Sequence, residues 1–151
     1  LEALRDYVEN GGGLVMVGGY MTFQGIEGKA RYRDTPVGEA LPVAIEPGDD
    51  RCETPQGVTP EVVQADHPIV AGLPRSWPNL LGYNRIVAKP GAATIAVVGR
   101  DPLIVAGAHG KGRGVAFASD CGPHWAPPSF VDWAGYAPLW RQIAGWAAGR
   151  L

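Results

Sequence analysis

A short apolar segment between two groups of glycines constrains the fold of this chain most. Gly11-Gly12-Gly13 follows an amphipathic stretch, residues 14–17 are continuously apolar, and Gly18-Gly19 comes directly after them. The first glycines are typical of a helix stop, and the apolar run is typical of a strand covered on both faces. The pattern predicts a helix, a buried strand and a tight turn at the carboxyl end of that strand. Open α/β sheets bind ligands at such ends.

Length, charge and cysteine content bound the class of protein. The chain has 151 residues and a net charge of -2, so we expect one domain over residues 1–151 with a real core. No basic patch indicates nucleic acid, and no apolar run is long enough to indicate a membrane partner. Cys52 and Cys121 do not make a disulfide framework, which predicts a cytoplasmic location. Because the chain begins without Met inside a helical pattern, we expect it to be the later part of a longer protein.

Apolar periodicity predicts three helices. Residues 1–10 place Leu1, Leu4 and Val8 on one face. Thr35 and Pro36 form an N-cap and first helical position, and this short helix runs to about Leu41. A final helix is predicted at residues 135–148.

The remaining segments predict strands and loops. The polar segment 26–34 is expected to form a surface loop, the turn-rich segment 47–60 an irregular one, and segment 77–87 an extended or irregular one. Strands are predicted at residues 43–46, 93–98, 103–109 and 113–119, the last three joined by hairpin turns. Together these elements predict an α/β fold with a mixed sheet, antiparallel hairpins and flanking helices.

The glycine turn after the first strand is one candidate ligand site. Gly18, Gly19 and Tyr20 either form the floor of a pocket, with backbone N–H groups directed at an anion, or form a tight turn that only requires positive φ. Tyr20 either donates a hydrogen bond or packs as an aromatic side chain. Its ordinary pKa near ~10 makes it a poor base at neutral pH.

A second candidate site follows the last predicted strand. Asp120, Cys121 and His124 are predicted to face the same crevice as Tyr20. His124 has the pKa for acid–base work, Asp120 can orient it, and Cys121 is the candidate nucleophile. The alternative is a structural loop, in which Asp120 accepts local N–H groups and His124 packs on Trp125. With no second cluster to complete a metal site, we predict neither a metal nor a cofactor.

Two further segments offer contacts of a different kind. Arg31 lies in a glycine-rich stretch with other cations, which forms a lid over an anionic ligand, a solvated loop or an oligomer contact. Trp125 is a further candidate ligand contact. The aromatic residues of the last quarter are expected to pack in the core or to form the interface of a homo-oligomer.

Short motifs are spread along nearly the whole chain: Leu4-Arg5-Asp6-Tyr7-Val8, Gly11-Gly12-Gly13, Gly18-Gly19-Tyr20, Gly25-Ile26-Glu27-Gly28-Lys29-Ala30-Arg31-Tyr32, Thr35-Pro36, His67-Pro68, Gly72-Leu73-Pro74, Ser119-Asp120-Cys121 and Pro123-His124-Trp125. As a set they resemble the glutamine amidotransferase-like family, a class I amidotransferase-like group. The resemblance implies a flavodoxin-like, three-layer α/β sandwich. It also implies that roughly the first third of the family domain precedes Leu1.

The resemblance also implies what the site lacks. Class I amidotransferases carry Gly-x-Cys-x-Gly at the turn and a His-x-Glu pair after a late strand. Tyr20 stands here in the position of the cysteine, and Asp120 to His124 contain no His-x-Glu pair. The leading prediction is therefore a small-molecule-binding or degenerate module of unknown ligand. The alternatives are an active hydrolase or amidotransferase that uses Cys121 and His124, and an assembly protein with an aromatic-helix interface.

Overall fold

The computed structural model describes residues 1–151 and has an α/β fold built around one five-stranded mixed sheet. Its strand order is β1-β9-β8-β7-β4. Strand β1 is parallel to β9, and the other neighbours are antiparallel. The predicted mixed sheet with hairpins is confirmed. The strands are β1 Gly13–Val17, β4 Pro60–Val62, β7 Ala93–Val98, β8 Asp101–His109 and β9 Gly112–Phe117.

Two smaller antiparallel sheets extend the fold. Strand β2 (Val43–Ile45) pairs with β6 (Ile86–Ala88), and β3 (Arg51–Val58) pairs with β5 (Leu80–Asn84). The prediction of an irregular segment over residues 47–60 is therefore wrong for most of its length.

Strand β3 escapes a pattern-based prediction because it is bulged. Its pairing with β5 shifts register between Glu53 and Val58. Pro55 and Gly57 lie inside that shift, where a missing N–H or a flexible backbone breaks no ladder hydrogen bond. Residues that ordinarily argue against a strand are tolerated there.

Helices lie at the ends and in the first third of the chain. All three predicted helices are present, and Thr35 caps the second, since its Oγ1 accepts the N–H of Gly38 at 3.2 Å. No helix is long and apolar enough to cross a membrane. The helices are α1 Glu2–Glu9, α2 Pro36–Ala40, α3 Pro128–Val131 and α4 Tyr136–Ala147, with a short 3₁₀ helix at Ile26–Gly28.

The first helix and first strand are less covered than predicted. Of the predicted apolar face of α1, only Val8 is buried; Leu1 is 59% and Leu4 46% exposed. Every residue of β1, an edge strand of the sheet, is half-buried. Its apolar residues Leu14, Val15, Met16 and Val17 all pack against the core, so both faces of the strand are covered in part.

The core surrounds the central strands β7, β8 and β9 and is closed by α4. Leu139 and Ile143 of α4 are fully buried in it. The aromatic side chains of the last quarter pack against this core, as one of the two interpretations predicts: Trp133, Tyr136, Trp140 and Trp146.

Candidate functional site

Parallel pairing of β1 with β9 brings the two loops that follow these strands into contact. The N–H of Gly18 donates to the carbonyl of Phe117 at 2.7 Å. A Cβ at Gly18 would lie 2.6 Å from the backbone of Ala118, and one at Gly19, where φ is +143°, would lie 2.7 Å from Oδ1 of Asp120. Glycines at these two positions therefore allow the loops to approach this closely.

Asp120 and His124 form a hydrogen-bonded pair in this region. Nδ1 of His124 lies 2.9 Å from Oδ2 of Asp120, and the same oxygen accepts the N–H of Trp125 at 3.1 Å. A carboxylate is only an acceptor, so it holds the proton on Nδ1 and leaves Nε2 as the basic atom of the neutral ring. The side chain of His124 is 46% exposed, so this ring is accessible to a ligand.

Aromatic rings fix the imidazole from two sides. The ring of Tyr20 meets that of His124 edge-on, with centroids 4.6 Å apart. The ring of Trp125 stacks on the imidazole, with ring centroids 5.6 Å apart. The structure thus contains both contacts that the two interpretations name, that of His124 with Asp120 and that of His124 with Trp125.

Cys121 shares the groove but is not paired with the histidine. Its side chain is exposed and forms no hydrogen bond to His124, whereas its carbonyl accepts a hydrogen bond from the hydroxyl of Tyr136. An open groove of about 500 Å³ is lined by Tyr20, Asp120, Cys121, Gly122, Pro123 and His124. We call it the β1–β9 groove.

Glu53 joins the two aromatic residues beside this groove. The hydroxyl of Tyr20 donates to Oε1 of Glu53 at 2.7 Å, and Nε1–H of Trp125 donates to Oε2 at 3.1 Å. Burial opposes ionisation of Glu53, but these donors outweigh it, and the pKa of the carboxyl lies below its ordinary value. The hydrogen bond to Glu53 in turn raises the pKa of Tyr20, so the phenol stays protonated and acts as a donor.

The predicted ligand contacts at Trp125 and Arg31 differ in placement. Trp125 is only 1% exposed, so it supports Tyr20 and His124 from beneath. Arg31 is exposed, has no ion pair or side-chain hydrogen bond, and does not line the β1–β9 groove. Another cation of that segment, Lys29, pairs with Glu27 at 2.5 Å.

A buried polar network supports the glycine turn, and sequence reasoning missed it. Asn84 accepts the N–H of Gly19 at 2.8 Å and donates to the carbonyl of Gly19 at 3.1 Å. Its Nδ2 also donates to Asp50 at 2.8 Å, which accepts the N–H groups of Gln24 and Gly25 at 2.7 and 3.0 Å. The only sequence signal is a pair of adjacent aspartates, at 49 and 50, in a segment otherwise rich in turn residues.

No group of three or more His, Cys, Asp or Glu side chains is arranged to hold a metal ion. The functional groups of the β1–β9 groove are the oriented imidazole of His124, the phenol of Tyr20, which acts as a donor, and the exposed thiol of Cys121.

These features define an α/β domain with its candidate site at the carboxyl ends of two parallel strands. The chain belongs to the GATase1-like family, described as "Putative glutamine amidotransferase", whose model matches residues 1–149. A comparison with curated protein sequences finds no significant match.

Two solved structures are similar to nearly the whole of this chain. Cytoplasmic protein STM3548 from Salmonella typhimurium is 43% identical with a TM-score of 0.94, over 97% of this chain and 59% of that one. Cytoplasmic protein STM1381 from Salmonella typhimurium LT2 is 44% identical with a TM-score of 0.92, over 95% and 58%. This chain therefore spans less than two thirds of either relative.

A more distant similarity extends to the fold alone. A ThuA-like protein from Parabacteroides merdae is 15% identical, with a TM-score of 0.64, over 96% of this chain and 63% of that one. At this identity the match describes a shared architecture and carries no information about chemistry.

Proposed function

We propose that this domain binds a small polar molecule in the β1–β9 groove and lacks the cysteine-dependent glutaminase chemistry of class I amidotransferases. The observation that carries the proposal is that the exposed thiol of Cys121 forms no hydrogen bond to His124, whose hydrogen-bond partner is the carboxylate of Asp120 at 2.9 Å. Glutamine hydrolysis through a covalent intermediate needs a thiolate beside a base.

The position at the turn after β1 supports the same proposal. It is occupied by Tyr20, whose hydroxyl is engaged by Glu53. A phenol with a raised pKa is a hydrogen-bond donor and a poor nucleophile at neutral pH. The thiol of Cys121, in the same groove, has no base within hydrogen-bond distance.

The groove favours a ligand that carries a hydroxyl or amide donor. Nε2 of His124 is the basic ring atom and accepts such a donor, while the half-buried side chain of Tyr20, which also lines the groove, provides an aromatic wall. Ligand sites in proteins commonly combine a few placed polar groups with such apolar surface.

A titration followed by ¹⁵N–¹H spectra tests binding. L-Glutamine, glycerol and D-glucose serve as probes for amide and hydroxyl donors. We expect at least one of them to shift the amides of Gly19 and Gly122 saturably in the native protein and not in His124→Ala. His109→Ala, with a histidine on β8, is the matched control and should bind as the native protein does. Absence of any saturable shift, or an unchanged shift in His124→Ala, would overturn the proposal.

A second candidate function is hydrolysis by a water molecule that His124 activates. The orientation of the imidazole by Asp120 favours it, because a carboxylate on Nδ1 makes Nε2 a general base. Hydrolysis of 4-nitrophenyl acetate at pH 7.5 is the test. If this candidate is right, Asp120→Ala and His124→Gln lose about 10²-fold in rate and Cys121→Ala loses nothing. Equal rates in all variants would exclude it.

Two further proposals concern the detailed arrangement of the sheet and the location of the protein in the cell. The parallel pairing of β1 with β9, with α1 and α4 in contact with both strands, supports a flavodoxin-like arrangement. The descriptions of the two Salmonella relatives as cytoplasmic support a cytoplasmic location. A fractionation experiment tests the location, and recovery with the membrane fraction would contradict it.

A further inference from the structure

A second cavity lies at the opposite edge of the main sheet, beside β4. Its volume is about 550 Å³, which is in the range of small-molecule sites and larger than the β1–β9 groove. It is formed by β4 and by the segment that carries the motifs His67-Pro68 and Gly72-Leu73-Pro74. Neither motif takes part in the function proposed above. We call this the β4 cavity.

One part of the β4 cavity is apolar. Val62, Val70, Leu73 and Trp77 contribute to its lining, and Val70 and Trp77 are only 5% and 4% exposed. The indole of Trp77 is itself backed by Trp133, with ring centroids 5.0 Å apart. Such a surface favours an apolar group of a few carbon atoms, because burial there removes it from water.

Two residues of opposite charge complete the lining. Glu61 and Arg75 are its only charged residues, both are exposed, and neither has a salt bridge or a side-chain hydrogen bond within the chain. A carboxylate and a guanidinium left unpaired beside an apolar cavity are complementary to an ammonium and a carboxylate on one ligand.

The wall of the cavity is fixed before any ligand arrives. Nδ1 of His67 accepts the N–H of Ile69 at 3.2 Å, and the carbonyl of His67 accepts the N–H of Val70 at 3.0 Å. Gln142 of α4 donates to the carbonyl of Ala71 at 2.8 Å. A wall held in this way loses little conformational freedom when a ligand binds.

From these observations we propose that the β4 cavity binds an α-amino acid with an apolar side chain, in its zwitterionic form. Arg75 binds the carboxylate and Glu61 the ammonium, while Val62, Val70, Leu73 and Trp77 surround the side chain. No covalent step is involved, and the site is independent of His124 and the β1–β9 groove.

The experiment follows the indole N–H signals of the five tryptophans in ¹⁵N–¹H spectra during titration with L-leucine and L-phenylalanine. The indole N–H of Trp77 has no acceptor in the chain, and its signal, assigned with Trp77→Phe, reports on the cavity. We expect a saturable shift of this signal with both amino acids. 3-Phenylpropionate lacks the ammonium and 2-phenylethylamine lacks the carboxylate, so each should bind about 10-fold more weakly than L-phenylalanine.

Matched variants separate the site from a nonspecific effect. Arg75→Gln and Glu61→Gln should each weaken binding of L-leucine about 10-fold, whereas Arg100→Gln, at the β7–β8 turn, should leave it unchanged. His124→Ala should also bind L-leucine normally, so that failure of this proposal and failure of the proposed function are distinguishable. No saturable shift with either amino acid at about 10 mM, or equal affinity in Arg75→Gln, would overturn the proposal.

Discussion

Nδ1 of His124 lies 2.9 Å from Oδ2 of Asp120, and this contact decides what chemistry the β1–β9 groove can carry. Since a carboxylate only accepts, Nδ1 is the donor of this contact and Nε2 is the basic atom of the neutral ring. Nε2 remains free as a base, but the exposed thiol of Cys121 forms no hydrogen bond to it and is therefore left unactivated. The groove therefore has an oriented acceptor and no activated nucleophile.

Removal of the Asp120 carboxylate should loosen this loop. In Asp120→Ala, both Nδ1–H of His124 and the N–H of Trp125 lose their acceptor. We expect the free energy of unfolding to fall by about 1–3 kcal/mol, and the imidazole ¹⁵N shifts to show a mixture of the two neutral tautomers. Asp132→Ala, at an exposed position, is the control. An unchanged tautomer in Asp120→Ala would show that the carboxylate does not orient the ring.

Gly82 of β5 should be intolerant of a side chain because the indole of Trp125 lies against it. A Cβ there would be 2.3 Å from Nε1 of Trp125, the atom that donates to Glu53. Gly82→Ala is expected to displace the indole and to cost about 1–3 kcal/mol in urea denaturation. A Cβ at Gly122 meets nothing within 4 Å, so Gly122→Ala should cost far less. Equal losses in the two variants would contradict this packing.

Lys89 should stabilise the carboxyl end of α2. Its Nζ donates to the carbonyls of Gly38, Glu39 and Leu41 at 2.8 to 2.9 Å, which are carbonyls that a helix end leaves unpaired. Lys89→Met keeps the length of the side chain and removes all three donors. It should lower stability by about 1–3 kcal/mol in urea denaturation, whereas Lys111→Met, at an exposed turn, should change it little. Native-like stability of Lys89→Met would show that water replaces the ammonium without loss.

His67 should make stability depend on pH. Its burial lowers the pKa of the imidazole, an effect that Asp66 only partly opposes, and its Nδ1 accepts the N–H of Ile69. Because the folded-state pKa lies below the ordinary value of about 6.5, the unfolded chain binds the proton more readily. The contribution of His67 to the free energy of unfolding should thus be fully present above about pH 6.5 and decline as the pH falls toward the folded-state pKa.

The test for His67 compares unfolding free energies of the native protein and His67→Gln from pH 8 to pH 5. The advantage of the native protein over the variant should shrink as the pH falls. A constant difference across this range would show that His67 has the same pKa in the folded and unfolded states.

The elements that sequence predicted are those that local chemistry determines. The turn at Gly18 and Gly19, the cap at Thr35 and the hairpins of β7, β8 and β9 depend on residues a few positions apart. Proximity of the loops after β1 and β9 was also predictable, because the carboxyl ends of strands that pair in parallel meet at one edge of a sheet.

The rest depends on partners far away in the chain. Tyr20 meets Glu53 33 residues away, Gly19 meets Asn84 65 residues away, and Trp125 meets Glu53 72 residues away. No local sequence pattern predicts such long-range pairs. The position of Glu53 on a strand was also not predictable, because Pro55 and Gly57 lie in a bulge of that strand. The exposure of Leu1 and Leu4 was not predictable either, since amphipathicity tells which face is apolar and not what covers it.

Release of ammonia from L-glutamine, measured for the purified native protein, Cys121→Ala and His124→Ala, tests whether the β1–β9 groove carries cysteine-dependent chemistry. We predict that the native protein releases ammonia no faster than either variant, because no thiol in the β1–β9 groove is paired with a base. Ammonia release by the native protein that Cys121→Ala abolishes would contradict the account and assign glutaminase chemistry to this groove.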